Sequence, residues 1–334
     1  MDYNHSIVRT VCAILQDDGN RTKWEDSYAR YAAILSSQKQ KTRYLDARSK
    51  FRLPKPFSAY TTITAAMRSP EFDIRVFGQS VGTIKVCRGE VLLNVEPKKA
   101  KKNSEYFHID YYPVHRKKWD SKEACQFRKL FKDLKIGKLK SEEHKVENYS
   151  LDEFSKRLRK ENKALCNIQP VRLFNCYYQF TTPIKASTHN PSFSMREDGA
   201  ATGGGIDILA RTRHADNRIR LAIIELKDEN NPREPQKDVL IQALSYATFV
   251  AHLLRSRSSD MWWKVFGFSG ISHEPLVLDV VTLMPKGDSE EGVQAPIFIE
   301  ELNVTLQPST LYYSLNENGD IVSFEGTLVD YLPK

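Results

Sequence analysis

Two apolar segments near the middle of the chain each carry an acidic residue where a buried strand ordinarily has none. Asp207 interrupts residues 203–209, which begin with three glycines, and Glu225 follows the apolar run 221–224. Consecutive apolar residues are typical of a buried strand, so we predict that both acids belong to strands of one sheet. Side chains alternate between the faces of a strand, so Glu225 and Lys227 share a face. Buried charges of this kind are costly unless they are paired or bind a metal.

The spacing predicts that further polar side chains join the two acids. Asp207 precedes Glu225 by 18 residues, which is enough for two strands joined by a turn at residues 214–217. A polar loop follows Lys227, and apolar residues then recur at helical spacing. Gln242 and Tyr246 are four residues apart in that segment and therefore lie on one helical face.

The tripeptide Glu-x-Lys is weak evidence by itself because it occurs four times. The copies at 96–98, 143–145 and 161–163 stand in polar or charged surroundings, and we expect them to be solvated. Only the copy at 225–227 follows an apolar run. The alternative interpretation of that copy is an ordinary ion pair at a strand edge.

The order Gly-Ile-Asp, Ile-Glu-Leu-Lys and Gln-x-x-x-Tyr resembles the PD-(D/E)XK nuclease superfamily, and its last element resembles the RecB-like branch. The resemblance covers roughly residues 151–270. It implies an α/β fold, a restriction-endonuclease-like mixed sheet flanked by helices. Local patterns in the first half of the chain indicate a separate N-terminal α+β domain beside it. It also implies that Asp207, Glu225 and the backbone carbonyl of Leu226 are ligands of Mg²⁺ or Mn²⁺. Hard oxygen ligands of this kind are those that Mg²⁺ prefers.

Roles for further residues follow from the same resemblance. Lys227 would orient the attacking water or stabilise charge on the phosphate. Gln242 and Tyr246 would support the active site or contact nucleic acid. Many members of the family add an acid from a helix before the first strand, and the helical pattern at 151–163 offers Glu153 and Glu161. Both are equally consistent with ordinary surface charges on a helix.

The basic charge is concentrated in the first half of the chain. Residues 1–150 contain 30 Lys and Arg against 18 Asp and Glu, a net charge of +12, whereas residues 151–334 contain 20 against 24, a net charge of −4. We therefore predict a basic α+β domain at 1–140 that binds nucleic acid and a nuclease-like domain at 141–334. A surface that is merely solubilising is the alternative.

The densest basic stretch runs from residue 98 to residue 140. The residues predicted to contact the nucleic-acid backbone are Lys98, Lys99, Lys101, Lys102, Arg116, Lys117 and Lys118. Aromatic residues lie between them, namely Tyr106, Phe107, Tyr111, Tyr112 and Trp119. Such rings can stack on unpaired bases, but alternating aromatic residues also favour a strand and its core, and that interpretation is preferred for most of them.

Local patterns predict the remaining elements. Helices are expected at 22–50, 59–68 and 121–134, and strands at 72–78, 81–86, 91–95, 276–284, 296–306 and 311–324. Hairpin turns are expected at Gly89 and at residues 316–319. Trp262 and Trp263 are expected to pack in the core, because side chains of that size bury a large area.

The composition and the N-terminal residues argue against several other classes of protein. No apolar run reaches the 18 residues of a membrane span, and residues 1–5 do not resemble a signal peptide, so we expect a cytoplasmic location without membrane association. The five cysteines are odd in number and scattered, which argues against a disulfide framework, a zinc site and an iron–sulfur cluster.

We expect DNA as the substrate. RNA cleavage on the same fold and a non-catalytic nucleic-acid-binding or interaction module are the alternatives, and a homodimer is left open.

Overall fold

The computed structural model describes residues 3–61, 69–110, 112–132, 134, 143–155, 168–186, 190–214, 218–229, 234–269, 275–287, 294–317 and 321–326. Within these residues the chain forms eight α-helices and two large sheets, with short strand pairs beside them. The predicted α/β class is therefore confirmed at the level of a mixed α/β fold. Among the described helices, none is long and apolar enough to cross a membrane.

Three helices begin the chain: α1 (Tyr3–Gln16), α2 (Asp18–Ser36) and α3 (Gln38–Ser49). The long helix predicted at 22–50 is in fact two helices, because the backbone is extended at Ser37. The side chain of Asp17 accepts a hydrogen bond from the amide of Asn20 at 3.1 Å and so caps the start of α2. This cap sets where α2 begins, ahead of the predicted start.

The first large sheet contains seven strands in the order β5-β4-β3-β2-β1-β8-β7. They are β1 (Phe57–Thr61), β2 (Glu71–Val76), β3 (Gln79–Cys87), β4 (Glu90–Val95), β5 (Val114–Lys118), β7 (Arg172–Leu173) and β8 (Cys176–Tyr178). The hairpin predicted around Gly89 is confirmed, with that glycine at φ +85°. The helix predicted at 59–68 is wrong at its start, because residues 57–61 pair with β2 as a strand. Residues 62–68 lie outside the described part.

The second large sheet is mixed, in the order β16-β17-β15-β14-β13-β6, with β18 paired to β17. Its strands are β6 (Ile168–Pro170), β13 (Ile208–Arg213), β14 (Ile219–Leu226), β15 (Leu276–Pro285), β16 (Ile297–Ile299), β17 (Val304–Leu315) and β18 (Ile321–Gly326). Strands β14, β15 and β17 are parallel neighbours, and the other pairings are antiparallel. The predicted strand at 276–284 is confirmed, and the predicted strand at 296–306 is interrupted by the 3-10 helix Glu300–Leu302. Residues 311–315 and 321–324 belong to β17 and β18, which form the predicted hairpin, and residues 318–320 of its turn lie outside the described part.

The remaining elements fill the space around the sheets. The helices are α4 (Pro97–Phe107), α5 (Lys122–Lys132), α6 (Glu143–Ser155), α7 (Gln236–Leu254) and α8 (Ser259–Val265). Two short strand pairs join β9 (Phe180–Thr181) to β12 (Gly205–Ile206) and β10 (Ile184–Lys185) to β11 (Ser192–Phe193). The predicted helix at 121–134 is α5, and the predicted core position of Trp262 and Trp263 is confirmed, since both are buried on α8.

Elements from the two halves of the chain interlock. Strand β8 completes the first sheet by pairing in parallel with β1, so that Tyr60 lies opposite Tyr177. In the other direction, α1 packs on α7 and α2 packs on α8. The hydroxyl of Tyr28 donates to the carbonyl of Thr181 at 2.5 Å. The predicted parts 1–140 and 141–334 are therefore not separate in the structure, because each contributes strands or helices to the packing of the other.

Candidate active site

Asp207 and Glu225 lie together at the end of the antiparallel pair β13–β14. Ile208 pairs with Ile224, which brings the residue before β13 next to Glu225. The amide of Asp207 donates to Oε1 of Glu225 at 3.4 Å, and the amide of Leu226 donates to Oδ2 of Asp207 at 3.0 Å. Glu225 is only 3% exposed. The structure thus brings together the two acids that the sequence proposed as partners.

The electrostatic environment of these acids is unfavourable to their charged forms. Burial raises the pKa of Asp207 to about 7, and the negative charges of Glu143 and Glu147 add to the shift. Burial also raises the pKa of Glu225 well above its ordinary value, and the neighbouring charge of Asp207 acts in the same direction. A bound cation would offset this repulsion, because an opposite charge nearby favours the ionised form.

Lys227 directs its ammonium group at two other carboxylates. Its Nζ donates to Oε1 of Glu143 and lies 3.2 Å from Oε2 of Glu234. Its amide donates to the carbonyl of Leu283, and its own carbonyl accepts from the hydroxyl of Tyr313 at 3.0 Å. Burial lowers the pKa of Lys227, but the charge and hydrogen bond of Glu143 together with the charges of Glu234 and Asp207 outweigh burial, and the pKa lies above its ordinary value. The side chain is therefore held as a cation.

Helix α7 adds Gln242 and Tyr246 to the same region. The amide nitrogen of Gln242 donates to Oε1 of Glu234 at 2.9 Å, and Glu234 in turn pairs with Lys227. Tyr246 packs against Gly204, where a Cβ atom would lie 1.8 Å from the tyrosine hydroxyl. Burial raises the pKa of Tyr246, and the charge of Glu225 adds to the shift. Tyr246 therefore lies beside the predicted acids, and Gln242 is connected to Lys227 through Glu234.

Helix α6 contributes two acids that the sequence did not identify. Glu143 binds Lys227, and Glu147, one helical turn later, is 3% exposed. The expectation that the tripeptide at 143–145 is solvated is wrong, since Lys145 is buried and Glu143 is ion-paired. The sequence signal that could have identified Glu143 and Glu147 is their spacing of four residues, which places both acids on one face of a helix. Glu161, the acid that was proposed instead, lies outside the described residues.

The oxygen donors fit a cation held by two carboxylates. In the part of the chain that the structure describes, no group of three or more His, Cys, Asp or Glu is arranged to hold a metal ion. Mg²⁺ usually takes one or two carboxylates and completes its octahedron with waters and substrate phosphate. Asp207 and Glu225 match that donor set. The amide of Leu226 donates to Asp207, and the predicted role of its carbonyl as a ligand stays a prediction.

The predicted nucleic-acid-binding residues occupy one helix and one edge strand. Lys98, Lys101 and Lys102 are exposed on α4, whereas Lys99 is partly buried and donates to Oγ of Ser80 at 2.7 Å. Arg116, Lys117 and Lys118 are exposed on β5, at the edge of the first sheet. Lys117 pairs with Glu123 and Lys118 with Glu90, both at 2.7 Å. Three of the seven basic groups are thus already bound to protein.

The aromatic residues between them do not form the preferred strand. Tyr106 and Phe107 lie in α4, and only Phe107 is fully buried. Tyr112 is exposed, and Tyr111 lies outside the described residues. Trp119 follows β5, where the guanidinium of Arg128 stacks 4.3 Å from its ring centre. This segment forms a helix and not a strand because Ala100, Asn103 and Phe107 recur at helical spacing on the buried face of α4.

Comparison of the chain with protein-family models, with curated proteins and with solved structures found no match. The site combines two buried acids, a paired lysine and further carboxylates around them.

Proposed function

We propose that the chain is a divalent-metal-dependent nuclease that hydrolyses phosphodiester bonds in DNA. The observation that carries the proposal is the convergence of Asp207, Glu225 and Lys227 at the ends of β13 and β14. Two carboxylates next to a lysine combine a cation site with a second positive charge. Both positive charges favour hydrolysis of a phosphodiester, since negative charge accumulates on the phosphate in the transition state.

Each side chain has a role in that reaction. Asp207 and Glu225 would hold the metal, which when bound polarises the phosphoryl oxygen and makes its water a stronger nucleophile. Lys227 would stabilise charge on the phosphate. Glu143 and Glu234 orient its ammonium group, and the hydrogen bond from Gln242 to Glu234 holds that partner in place.

The distribution of charge supports a nucleic-acid substrate. The basic excess lies in residues 1–150, where Lys98, Lys101 and Lys102 are exposed on α4. Exposed lysines bind phosphates of either nucleic acid without reading the sequence, so RNA is the alternative substrate.

A non-catalytic nucleic-acid-binding module is the second candidate function. It is favoured by the ion pairs of Lys227 with Glu143 and Glu234, which a purely structural lysine would also make. A structural lysine would not need Asp207 and Glu225 beside it, because two adjacent buried acids destabilise the fold unless they serve a ligand.

A cleavage assay tests the proposal. Wild type, Glu225→Gln and the surface control Glu325→Gln are incubated with linear duplex DNA, circular duplex DNA, single-stranded DNA and RNA, each with Mg²⁺, Mn²⁺ or EDTA. We expect metal-dependent cleavage by wild type and by Glu325→Gln and none by Glu225→Gln. Calorimetric titration with Mn²⁺ should show binding that Glu225→Gln loses. Substrates that are bound but never cut, with no metal binding, would favour the non-catalytic module.

A further inference from the structure

Arg75 is a buried arginine of the N-terminal sheet with four partners. It lies on β2, and 7% of its surface is exposed. Its Nε donates to Oδ2 of Asp73 at 2.8 Å, and its Nη2 donates to Oε1 of Gln179 at 2.6 Å. Its guanidinium is 4.0 Å from the ring centre of Tyr60, and its Nη1 is 4.0 Å from Oε1 of Glu147. A buried guanidinium paired in this way fixes the groups around it, because each would otherwise lose its compensating charge or donor.

Glu147 connects Arg75 to the candidate active site through α6. Its carboxylate accepts from the hydroxyl of Tyr60 at 3.3 Å and lies 3.7 Å from Nδ1 of His144. Glu143 stands one turn earlier on the same helix and binds Lys227. Residues four apart share a helical face, so the contacts that fix Glu147 also fix the position from which Glu143 contacts Lys227.

Gln179 connects Arg75 to the other side of the site. It lies between β8 and β9, and β9 pairs with β12 so that Thr181 faces Gly205. A Cβ atom on Gly205 would lie 3.5 Å from Nε2 of Gln179. Asp207 follows β12 directly. Arg75 therefore contacts the helix that carries Glu143 and, through Gln179, is connected to the strand pair that precedes Asp207.

We propose that Arg75 is a positioning residue for the candidate active site, holding α6 where Glu143 binds Lys227 and holding the β9–β12 pair where Asp207 meets Glu225. The inference rests on the proposed nuclease function. It adds that the N-terminal sheet takes part in hydrolysis and does more than bind the substrate. Arg75 acts through the groups it holds, and we assign it no contact with the reacting phosphate.

The decisive variant is Arg75→Lys, which keeps a positive charge and loses the planar fork of donors. Arg128→Lys is its matched control, because Arg128 also stacks on an aromatic ring and donates to the carbonyl of Trp119 at 2.6 Å, but on α5. Both are assayed on linear duplex DNA with Mn²⁺. We expect kcat of Arg75→Lys to fall roughly 100-fold with KM nearly unchanged, as for a displacement of about 1 Å at the site. Arg128→Lys should match wild type.

A second variant keeps the test decisive if Arg75→Lys does not fold. Glu147→Gln removes the charge that Arg75 holds on α6 with little change in volume, and it should lower kcat in the same way. If Arg75 acts through Glu147, the double variant should be no slower than the slower single variant, because coupled residues are not additive. A kcat for Arg75→Lys close to wild type, or fully additive losses, would overturn the inference.

Hydrogen exchange separates failure of this inference from failure of the proposed function. Amide exchange is measured in wild type and Arg75→Lys without metal or nucleic acid. We expect faster exchange over α6 in the variant and unchanged exchange in α7. If wild type cuts no substrate, the nuclease proposal fails, and the exchange data still decide: faster exchange confined to α6 supports positioning by Arg75, and identical exchange refutes it.

Discussion

The ammonium group of Lys227 contacts the carboxylates of two residues, Glu143 and Glu234. If the ammonium stabilises charge on the phosphate, Lys227→Met should lower the single-turnover cleavage rate roughly 10²- to 10³-fold. Mn²⁺ affinity, measured by calorimetry, should stay near that of wild type because the acids remain. Lys286→Met is the control, since its ammonium also binds a glutamate, Glu325, at 2.8 Å on the exposed β17–β18 side. A fully active Lys227→Met would exclude the assigned role.

His252 makes stability depend on pH independently of the site. It is 7% exposed on α7, and its Nε2 has no hydrogen-bond partner among the described residues. Burial lowers its pKa from 6.5 to about 4, although the charge of Glu301 acts in the opposite direction. Between these values the unfolded chain binds a proton that the folded chain does not, so the stability present above pH 6.5 is lost as the pH falls towards 4.

The expected loss from His252 is about 3 kcal/mol of unfolding free energy between pH 7 and pH 4. Urea titrations of wild type and His252→Gln at several pH values, in EDTA, measure it. The variant should lose less stability over that range, because glutamine does not titrate there. His115→Gln, at an exposed position on β5, serves as the control. Parallel pH profiles for wild type and His252→Gln would contradict the prediction.

Helix α6 is the element on which most of the site depends, and Gly78 is where the first sheet meets it. Gly78 has φ +78°, and a Cβ atom there would lie 1.8 Å from the carbonyl oxygen of His144. Gly89 has φ +85° with nothing within 4 Å of the same position. The two glycines therefore share a backbone conformation and differ in the contact with α6.

Gly89→Ala should cost about 1 kcal/mol of stability from backbone strain alone. Gly78→Ala should cost roughly 2 kcal/mol more, because its methyl group displaces α6 as well. Denaturant titrations give both values, and the cleavage rate should fall only for Gly78→Ala. Equal losses of stability in the two variants would mean that α6 can move away from the added methyl group without a loss of stability.

Helix α4 offers a comparison of exposed lysines. Reversing Lys101 and Lys102 to glutamate should weaken DNA binding and lower the salt dependence of the association constant by roughly two counterions. Lys39 and Lys41 are likewise exposed, on α3, and reversing them makes the matched control. Fluorescence anisotropy at several salt concentrations, in EDTA, measures both pairs. Equal effects of the two reversals would assign the α4 lysines to a general, solubilising charge.

At the scale of the whole molecule, the interlocked halves predict that neither folds alone. A fragment spanning 141–334 lacks β1, the partner of β8, and lacks α1, which packs on α7. It would expose apolar surface that the full chain buries, so we expect no cooperative thermal transition from the fragment and one from the full chain. Calorimetry and near-ultraviolet circular dichroism test this. A cooperative transition and native-like near-ultraviolet signal in the fragment would show that the predicted boundary at residue 140 marks an independent domain.

Patterns within a few residues were sufficient for the local elements around the site. The strand of Glu225 and the helix of Gln242 and Tyr246 follow from periods of two and 3.6 residues. The predicted strand position of Asp207 is wrong, because Asp207 lies at a bend between β12 and β13. The predicted helix at 59–68 was wrong because pairing with β2 decided the conformation of residues 57–61. Strand formation depends on neighbours that a short window does not contain.

Local periodicity was enough to predict which side chains share a strand or helix face near residues 203–246, because it is a property of the local backbone. The distant groups that complete the site could not be predicted in this way, because they are brought together by the packing of the folded chain. Glu143 reaches Lys227 across 84 positions of the chain, and Arg75 reaches Gln179 across 104. The first contact arises because α6 packs against both sheets, and the second arises because β8 joins the first sheet beside β1. A buried charge without a partner would destabilise the fold, so each of these buried charges has an oppositely charged or hydrogen-bonding group beside it.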